Sequence, residues 1–501
     1  MSASAQSAPQ PIWRRPPPGV IPLHLLLATS AKVLSSALFV SRREFDEAWR
    51  NSVFHALQIH HLSAVLPELV QAQVDDQAHE VTLTLPLDAA AVARIIDAYR
   101  AQYPDFEADW AAEAQRLVAA GRVTRKARFT GSQGSVILPA DGDQALRFQP
   151  VAVRSALPDA ATQAWPMGDA TRGPTAHPNV DRQAIEAAFD VAFADPSGQT
   201  AAAVVVHRGE IIAERYRAGF GIDTQFESWS MGKSVTATLL GVLVQQGLLS
   251  LDEPAPVPAW QQAGDPRAAI TVRHLLQMSS GLQCSGPDEP RARWRLGLPD
   301  HFYVYGEACD TFAFALDRPS EHPPGTVGRY RNCDPLTLGY LIRRTVEDRL
   351  GENYHQWPQK ALFDRIGIRS QILETDLYGN FVMTGFDYGT ARNWARLGLL
   401  YLRNGLWQGQ RVLPDYWADV VRGYAPAWKD HRYGGQFWLN PADEFALPRD
   451  AFSMAGASDQ RVFIVPSADL VIVRLGHQSA HATVRRSLNT LLGAVIRAVS
   501  R

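Results

Sequence analysis

The chain has 501 residues, 46% hydrophobic and 20% charged, the balance of a globular protein long enough for two domains or one large domain with an extension. Forty-nine basic residues against 51 acidic ones leave a net charge of −2, so no long-range field draws the protein toward nucleic acid or an anionic membrane. Zinc-finger spacings, a His-Glu-x-x-His helix, a phosphate loop of the usual form and heptad runs are all missing from the sequence, and neither a metal nor a cofactor is expected.

Near the start, Trp13-Arg14-Arg15 precedes an apolar stretch from Val20 to Ala31, an imperfect likeness of a signal peptide. Prolines at 16–18 and 22 and His24 interrupt it, and it is too short to span a bilayer. Export to a periplasmic or external space and residence in the cytoplasm both stay open. Amphipathic helical patterns follow around 43–57 and 89–120, with strand-like runs at 80–85 and 126–138. No chemical motif accompanies them, and they read as a structural extension. Residues 150–181, rich in Pro, Ala, Asp, Gly and Thr and including Gly173-Pro174 and Pro178, read as a connector. The chain therefore divides into 1–180, an N-terminal extension and linker, and 181–501, the main domain.

Beyond the connector, 181–194 is helix-like, and 201–206 and 211–216 form a hairpin around Arg208-Gly209. An apolar helix runs from Met231 to Gly247, short helices and loops fill 255–380, and an amphipathic helix fits 390–404. Strands at 460–465 and 470–475 and a closing helix at 481–499 complete the chain. Strands at both ends with helices between predict an α/β (α+β) fold. One antiparallel sheet is assembled from distant segments and flanked by helices, with a helical subdomain in the middle.

The sharpest chemical signal is Ser228-Trp229-Ser230-Met231-Gly232-Lys233-Ser234, at the mouth of the apolar helix. A serine hydroxyl needs a neighbouring base to become a nucleophile, and residues three apart share one helix face. A buried lysine loses its charge readily enough to act as that base. A capping serine followed by a surface lysine would read the same. Only five of the 49 basic residues are lysines, and no other has a serine three positions before it. A second element, Tyr330-Arg331-Asn332, follows the turn Pro323-Pro324-Gly325; a loop tyrosine is either a proton relay or a half-buried aromatic. A third, Ser453-Met454-Ala455-Gly456-Ala457, leads into a strand. There Gly456 permits close approach of substrate backbone, and a main-chain amide can serve as an oxyanion donor; a plain glycine turn is the alternative. Phe302-Tyr303-Val304-Tyr305 either lines a substrate pocket or packs in the core. The three cysteines, Cys284, Cys309 and Cys333, are too few for a disulfide framework. A Cys309–Cys333 bridge and three free thiols both remain open.

The ordered set Ser-x-x-Lys, Tyr-x-Asn about a hundred residues later, and a glycine-bearing strand near the end resembles the β-lactamase and penicillin-binding superfamily. Within it the chain is most similar to the serine hydrolases grouped with 6-aminohexanoate-dimer hydrolase and the lactamase-like esterases. Further matching text includes Glu214-Arg215-Tyr216, Leu276 to Leu282 and Thr390-Ala391-Arg392, and the likeness covers about residues 185–500. The resemblance implies a β-lactamase/transpeptidase-like fold and an acyl-enzyme on Ser230, with Lys233 as base and Tyr330 as proton donor to the leaving group. It implies Asn332 as an orienting residue and the amides of Ser230 and Ala457 as the oxyanion site. Tyr303, Tyr305 and Met454 are candidates for the pocket wall. Lactamases usually place Lys or His and a hydroxyl residue where this chain has Met454 and Ala455, which favours small esters or linear amides over β-lactams. An idle binding protein of the same fold and an acyltransferase are the competing readings.

Overall fold

A computed structural model of the protein describes residues 11–54, 60–171, 179–196, 198–441, 444–477 and 481–499. Gly173, Pro174 and Pro178 of the expected connector, and positions 55–57 of the expected helix 43–57, lie outside the described residues.

The N-terminal region contains helices α1 (Leu23–Phe39), α2 (Phe45–Asn51), α3 (His60–Leu69), α4 (Ala89–Gln102) and α5 (Trp110–Ala120). Strands β1 (Gln71–Asp75), β2 (Glu80–Pro86), β3 (Arg122–Phe129) and β4 (Ser135–Ile137) form an antiparallel sheet in that order. The helical pattern at 89–120 resolves into two helices. Asp88 and Asp109 each accept a main-chain N–H in the first turn that follows, the usual capping device. The apolar run from Val20 to Ala31 becomes the entry and first half of α1, whose side chains from Leu25 to Ala37 are buried. Helix α1 packs on β2 and β3. Its leucines join one hydrophobic core with Leu296, Phe302, Tyr303, Phe314 and Trp229 of the later chain.

The main sheet has six antiparallel strands in the order β12–β13–β14–β15–β5–β6. They are β5 (Thr200–His207), β6 (Glu210–Tyr216), β12 (Trp438–Leu439), β13 (Phe452–Gly456), β14 (Gln460–Val465) and β15 (Leu470–Gly476). Strands from the two ends of the domain meet where β15 pairs with β5, as expected from the spacing of the β-rich runs. Both faces are covered. Alternating side chains Ala203, Val205, Phe463 and Ile472 meet helices α6 (Arg182–Ala194) and α14 (His481–Val499). Val204, Val206, Val462, Val471 and Val473 join the larger core with α7 (Met231–Gln245) and α12 (Ala391–Leu402). This two-sided burial explains why these strands read as continuous apolar runs and not as alternating ones.

Between the sheet's two halves lie α8 (Val272–Leu276), α9 (Asp300–Gly306), α10 (Thr311–Leu316), α11 (Cys333–Arg344) and α13 (Trp417–Arg422). A small sheet of β7 (Phe226–Glu227), β9 (Asp387–Gly389) and β8 (Ile372–Leu373) delivers the chain to Ser230. Among the described residues no helix is long and apolar enough to cross a membrane.

Cys284 and Cys333 are joined by a disulfide, while Cys309 is buried and free. Both expectations, a Cys309–Cys333 bridge and three free thiols, are corrected. All three cysteines lie in the core built around α1, and it is the segment containing Cys284 that runs beside the start of α11. There Arg331 donates to the Leu282 carbonyl at 2.7 Å and Ser280 to Asp334 at 2.7 Å.

Candidate active site

Helix α7 is buried from Met231 to Leu243, so a polar residue on its first turn must find partners inside the protein. Trp229, just before it, has φ of 45°, a left-handed backbone that a bulky residue adopts only under constraint. The constraint is visible. Ser228 N–H donates to the Asp387 carbonyl at 2.8 Å, and the Trp229 ring packs 5.5 Å from Phe386. Ser230 then occupies the N-cap position without capping the helix through its side chain. Its hydroxyl is free for chemistry, which removes the capping-serine reading.

Lys233 Nζ lies 3.0 Å from Ser230 Oγ and donates to the Thr384 carbonyl at 2.7 Å. The side chain is buried, and no carboxylate among the described residues forms an ion pair or hydrogen bond with it. Burial holds its pKa well below the ordinary lysine value, against a weaker opposing pull from Asp387. Asp387 is itself fully buried, and among the described residues neither carboxylate oxygen has a hydrogen-bond partner. Burial, reinforced by nearby Glu374, pushes its pKa well above the usual carboxylate range. Burial thus disfavours the charged form of both groups, the amine beside Ser230 and the carboxyl group behind it. Gly232 makes this packing possible, since a Cβ there would fall onto the Asp387 carboxyl group.

The Tyr330 ring centre is 5.0 Å from Lys233 Nζ. Burial raises the pKa of the phenol, opposed by its hydrogen bond with Ser230 and the charge of Arg461. Tyr330 is anchored from the next residue, because the buried Arg331 guanidinium meets Asp334 at 3.3 Å. Ser230 and Lys233, three residues apart, and Tyr330, about a hundred residues later, thus lie together.

Gly456 closes the site on another side. A Cβ at this position would meet the Ser228 carbonyl oxygen and the Trp229 side chain, so glycine lets β13 lie against the segment that carries Ser230. Ala457 lines the same cavity, of about 330 Å³, with Ser230, Tyr305, Tyr330, Ala455 and Arg461. Met454 and Tyr303 do not line it. Neighbouring residues on β13 point to opposite faces, so Ala455 faces the cavity while Met454 packs in the main core. Tyr303 stacks on Phe314 at 5.2 Å in the core around α1. Asn332 does not bond Lys233. Its amide donates to the His301 carbonyl at 2.6 Å, which ties the tyrosine loop to α9.

Several participants carry no sequence signature. The Thr384 carbonyl that accepts from Lys233 also accepts from Tyr305 Oη at 2.6 Å, and a main-chain acceptor leaves no trace in residue type. Asp387 and His301 were equally hidden. A larger groove of about 820 Å³ contains none of the site residues. Of its arginines, Arg369 donates to the carbonyls of Pro158, Met167 and Gly367 and Arg396 pairs with Asp169. Chemistry therefore selects the smaller cavity.

The comparisons agree with this architecture. A 6-aminohexanoate-dimer hydrolase of Paenarthrobacter ureafaciens is 24% identical over 300 residues, which cover 55% of this chain and 72% of the relative. A beta-lactamase-like structure from Bacteroides dorei DSM 17855 superposes with a TM-score of 0.51 at 18% identity, covering 64% of this chain and 100% of its own. A penicillin-binding protein homologue from Caulobacter crescentus gives 0.49 at 18% identity, covering 64% and 98%. At 18% identity the Bacteroides dorei structure speaks for the fold alone. The model of the family described as Beta-lactamase matches residues 185–495, more than half of the chain, and the protein belongs to that family of serine hydrolases.

Proposed function

We propose that the protein cleaves ester or linear amide bonds of small substrates through an acyl-enzyme on Ser230. One observation carries the reading: a buried amine held 3.0 Å from an uncapped serine hydroxyl by a main-chain carbonyl. The uncharged Lys233 takes the Ser230 proton as Oγ attacks the substrate carbonyl. The amides of Ser230 and Ala457 receive the developing oxyanion; losing one such donor typically costs about a hundredfold or more in rate. Tyr330, which lines the same cavity as Ser230 with its ring centre 5.0 Å from Lys233 Nζ, hands a proton to the departing alcohol or amine and regains one from Lys233. Water then releases the acid.

Substrate preference follows from the cavity wall. Met454 faces the core and Ala455 has no hydroxyl, so the cation and hydroxyl that grip a β-lactam carboxylate are missing from β13; the cations that line the cavity are Arg432, Arg461 and Arg485, of which Arg461 and Arg485 lie 3.2 and 3.4 Å from Asp459. The name of the 24%-identical relative points to linear amides of amino acids. The test compares p-nitrophenyl esters, a linear aminohexanoate amide and a chromogenic cephalosporin, with the parent and Ser230→Ala side by side. Ester or linear amide turnover that vanishes in the variant supports the reading. Cephalosporin turnover at the ester rate contradicts the substrate assignment.

A further inference from the structure

Along α1 the side chains of Thr29, Lys32 and Ser36 are polar yet buried, and their spacing of three and then four residues puts them on one helix face. That face is turned to the segment behind Lys233. Lys32 Nζ meets Glu374 Oε2 at 2.9 Å, and Glu374 Oε1 accepts from Ser36 Oγ and from Ser135 N–H, each at 2.7 Å. Thr375 N–H donates to the Gln133 carbonyl at 3.2 Å. Gly134 lies between these two contacts with φ of 64°, and a Cβ there would fall on the Glu374 side chain. Every one of these holding groups precedes residue 185, where the match to the family model begins.

Glu374 clasps a tight bend of the main chain at both ends. Its N–H donates to the Phe386 carbonyl at 3.0 Å, and its carbonyl accepts from Val382 N–H at 2.8 Å. The bend between, 382–386, presents the Thr384 carbonyl to Lys233. Tyr305 Oη reaches the same carbonyl, and the Tyr305 main-chain carbonyl accepts from Thr29 Oγ1 at 2.9 Å. One face of α1 therefore grips the acceptor from two sides. From the side of α7 the bend receives Thr236 Oγ1, 3.3 Å from the Met383 carbonyl. A neutral amine has one lone pair, and fixing one of its N–H groups on a carbonyl limits where that pair can point. The 3.0 Å approach to Ser230 Oγ thus depends on where the bend sits. A buried ion pair adds little stability over apolar side chains of the same volume; what it supplies here is direction. We propose that Lys32 is a positioning residue of the reaction: through Glu374 and the 382–386 bend it holds the Thr384 carbonyl against the amine of Lys233. Helix α1 is then part of the catalytic apparatus. This assignment rests on the Ser230 acyl-enzyme with Lys233 as its base.

The test is single-turnover cleavage of a p-nitrophenyl ester by the full chain in excess over ester. Parent, Lys32→Met, Ser36→Ala and Lys32→Met/Glu374→Gln are compared well below their melting temperatures. Release of p-nitrophenolate at saturating enzyme gives the limiting rate of acylation, and its dependence on enzyme concentration gives the half-saturating value. Lys32→Met should lower the limiting rate about a hundredfold with the half-saturating value unchanged. The double variant, which keeps an oxygen for Ser36 and Ser135 and leaves no charge unpaired, should recover most of that loss. Ser36→Ala should lower the same rate, by less. A role confined to stability would shrink the folded fraction, raising the half-saturating value at the parent's limiting rate, and that result overturns the proposal. A double variant as slow as Lys32→Met, or Ser36→Ala at the parent's limiting rate, overturns it too. Should Lys32→Met fail to fold, Ser36→Ala alone decides. Inactive Ser230→Ala beside an unchanged limiting rate in Lys32→Met defeats this assignment alone. Ser230→Ala turning over at the parent rate defeats the nucleophile, and this assignment with it.

Discussion

Lys32 of α1 reaches across the molecule to Glu374, 2.9 Å away, with both side chains buried. Glu374 also accepts from Ser36 Oγ and Ser135 N–H, each at 2.7 Å. The pair adjoins the site, since Lys32 lies 4.7 Å from the centre of Phe386, the ring against Trp229, and Glu374 acts electrostatically on Asp387. Lys32→Met leaves a buried carboxylate without its cation, a loss of about 3–5 kcal/mol. At about 2.1 cal/mol/K per residue, a chain of this size has an unfolding entropy of about 1 kcal/mol per degree. If the N-terminal region and the hydrolase core unfold together, Tm falls by about 3–5 °C. The pH dependence has a definite sign. Burial already raises the Glu374 pKa above its ordinary value, while Lys32 holds it down. Removing Lys32 raises it further, so the variant binds a proton more readily when folded than when unfolded. Its deficit is smallest in acid and grows as pH rises through the folded pKa. Adding Glu374→Gln should recover most of the loss, which a double-mutant cycle measures. Differential scanning calorimetry between pH 5 and 8 is the assay. A variant melting with the parent throughout that range, or a separate transition for the N-terminal region, refutes the reasoning.

Three further outcomes follow. Lys233→Ala should lower kcat/KM for a p-nitrophenyl ester by about 10²–10⁴-fold. Because burial depresses Lys233 and a base must be uncharged, the acid limb of the parent's kcat/KM should lie well below 10.5; a limb at that value would count against the amine. Gly456→Ala forces a Cβ onto the Ser228 carbonyl, main chain against main chain, and should cost about 1–3 kcal/mol together with activity. Chemical denaturation and ester turnover read both effects. Replacing Cys284 and Cys333 with serine opens a loop with a sequence separation of 49 and should remove up to about 4 kcal/mol of stability. Non-reducing and reducing melts of the parent should show the same gap.

Local pattern revealed the elements whose burial is one-sided or complete over a long run. The apolar stretch after Ser230 is α7, and the β-rich runs near 205 and 470 meet in the main sheet as the topology required. Ser230 and Lys233 were legible because helical geometry fixes the meeting of residues three apart. Tyr330 was legible from a motif, although its contact depends on a fold that joins distant segments. Facing was hidden where a strand is covered on both sides: nothing in Met454-Ala455 tells which one meets the cavity. Cysteine pairing stayed hidden because Cys284 approaches Cys333 through contacts between segments distant in sequence, Ser280 with Asp334 and Arg331 with Leu282. Lys32 and Glu374, 342 positions apart, look like ordinary charged residues until folding buries them together. Thr384 acts through its main chain, which no residue type announces.

The central claim is that an uncharged amine faces Ser230, and the five lysines of this chain allow it to be seen directly. Labelling lysine side chains with ¹³C at Cε and following the signal that Lys233→Met removes should show a neutral amine at pH 7. A Lys233 signal at the chemical shift of a charged ammonium at that pH would contradict the account.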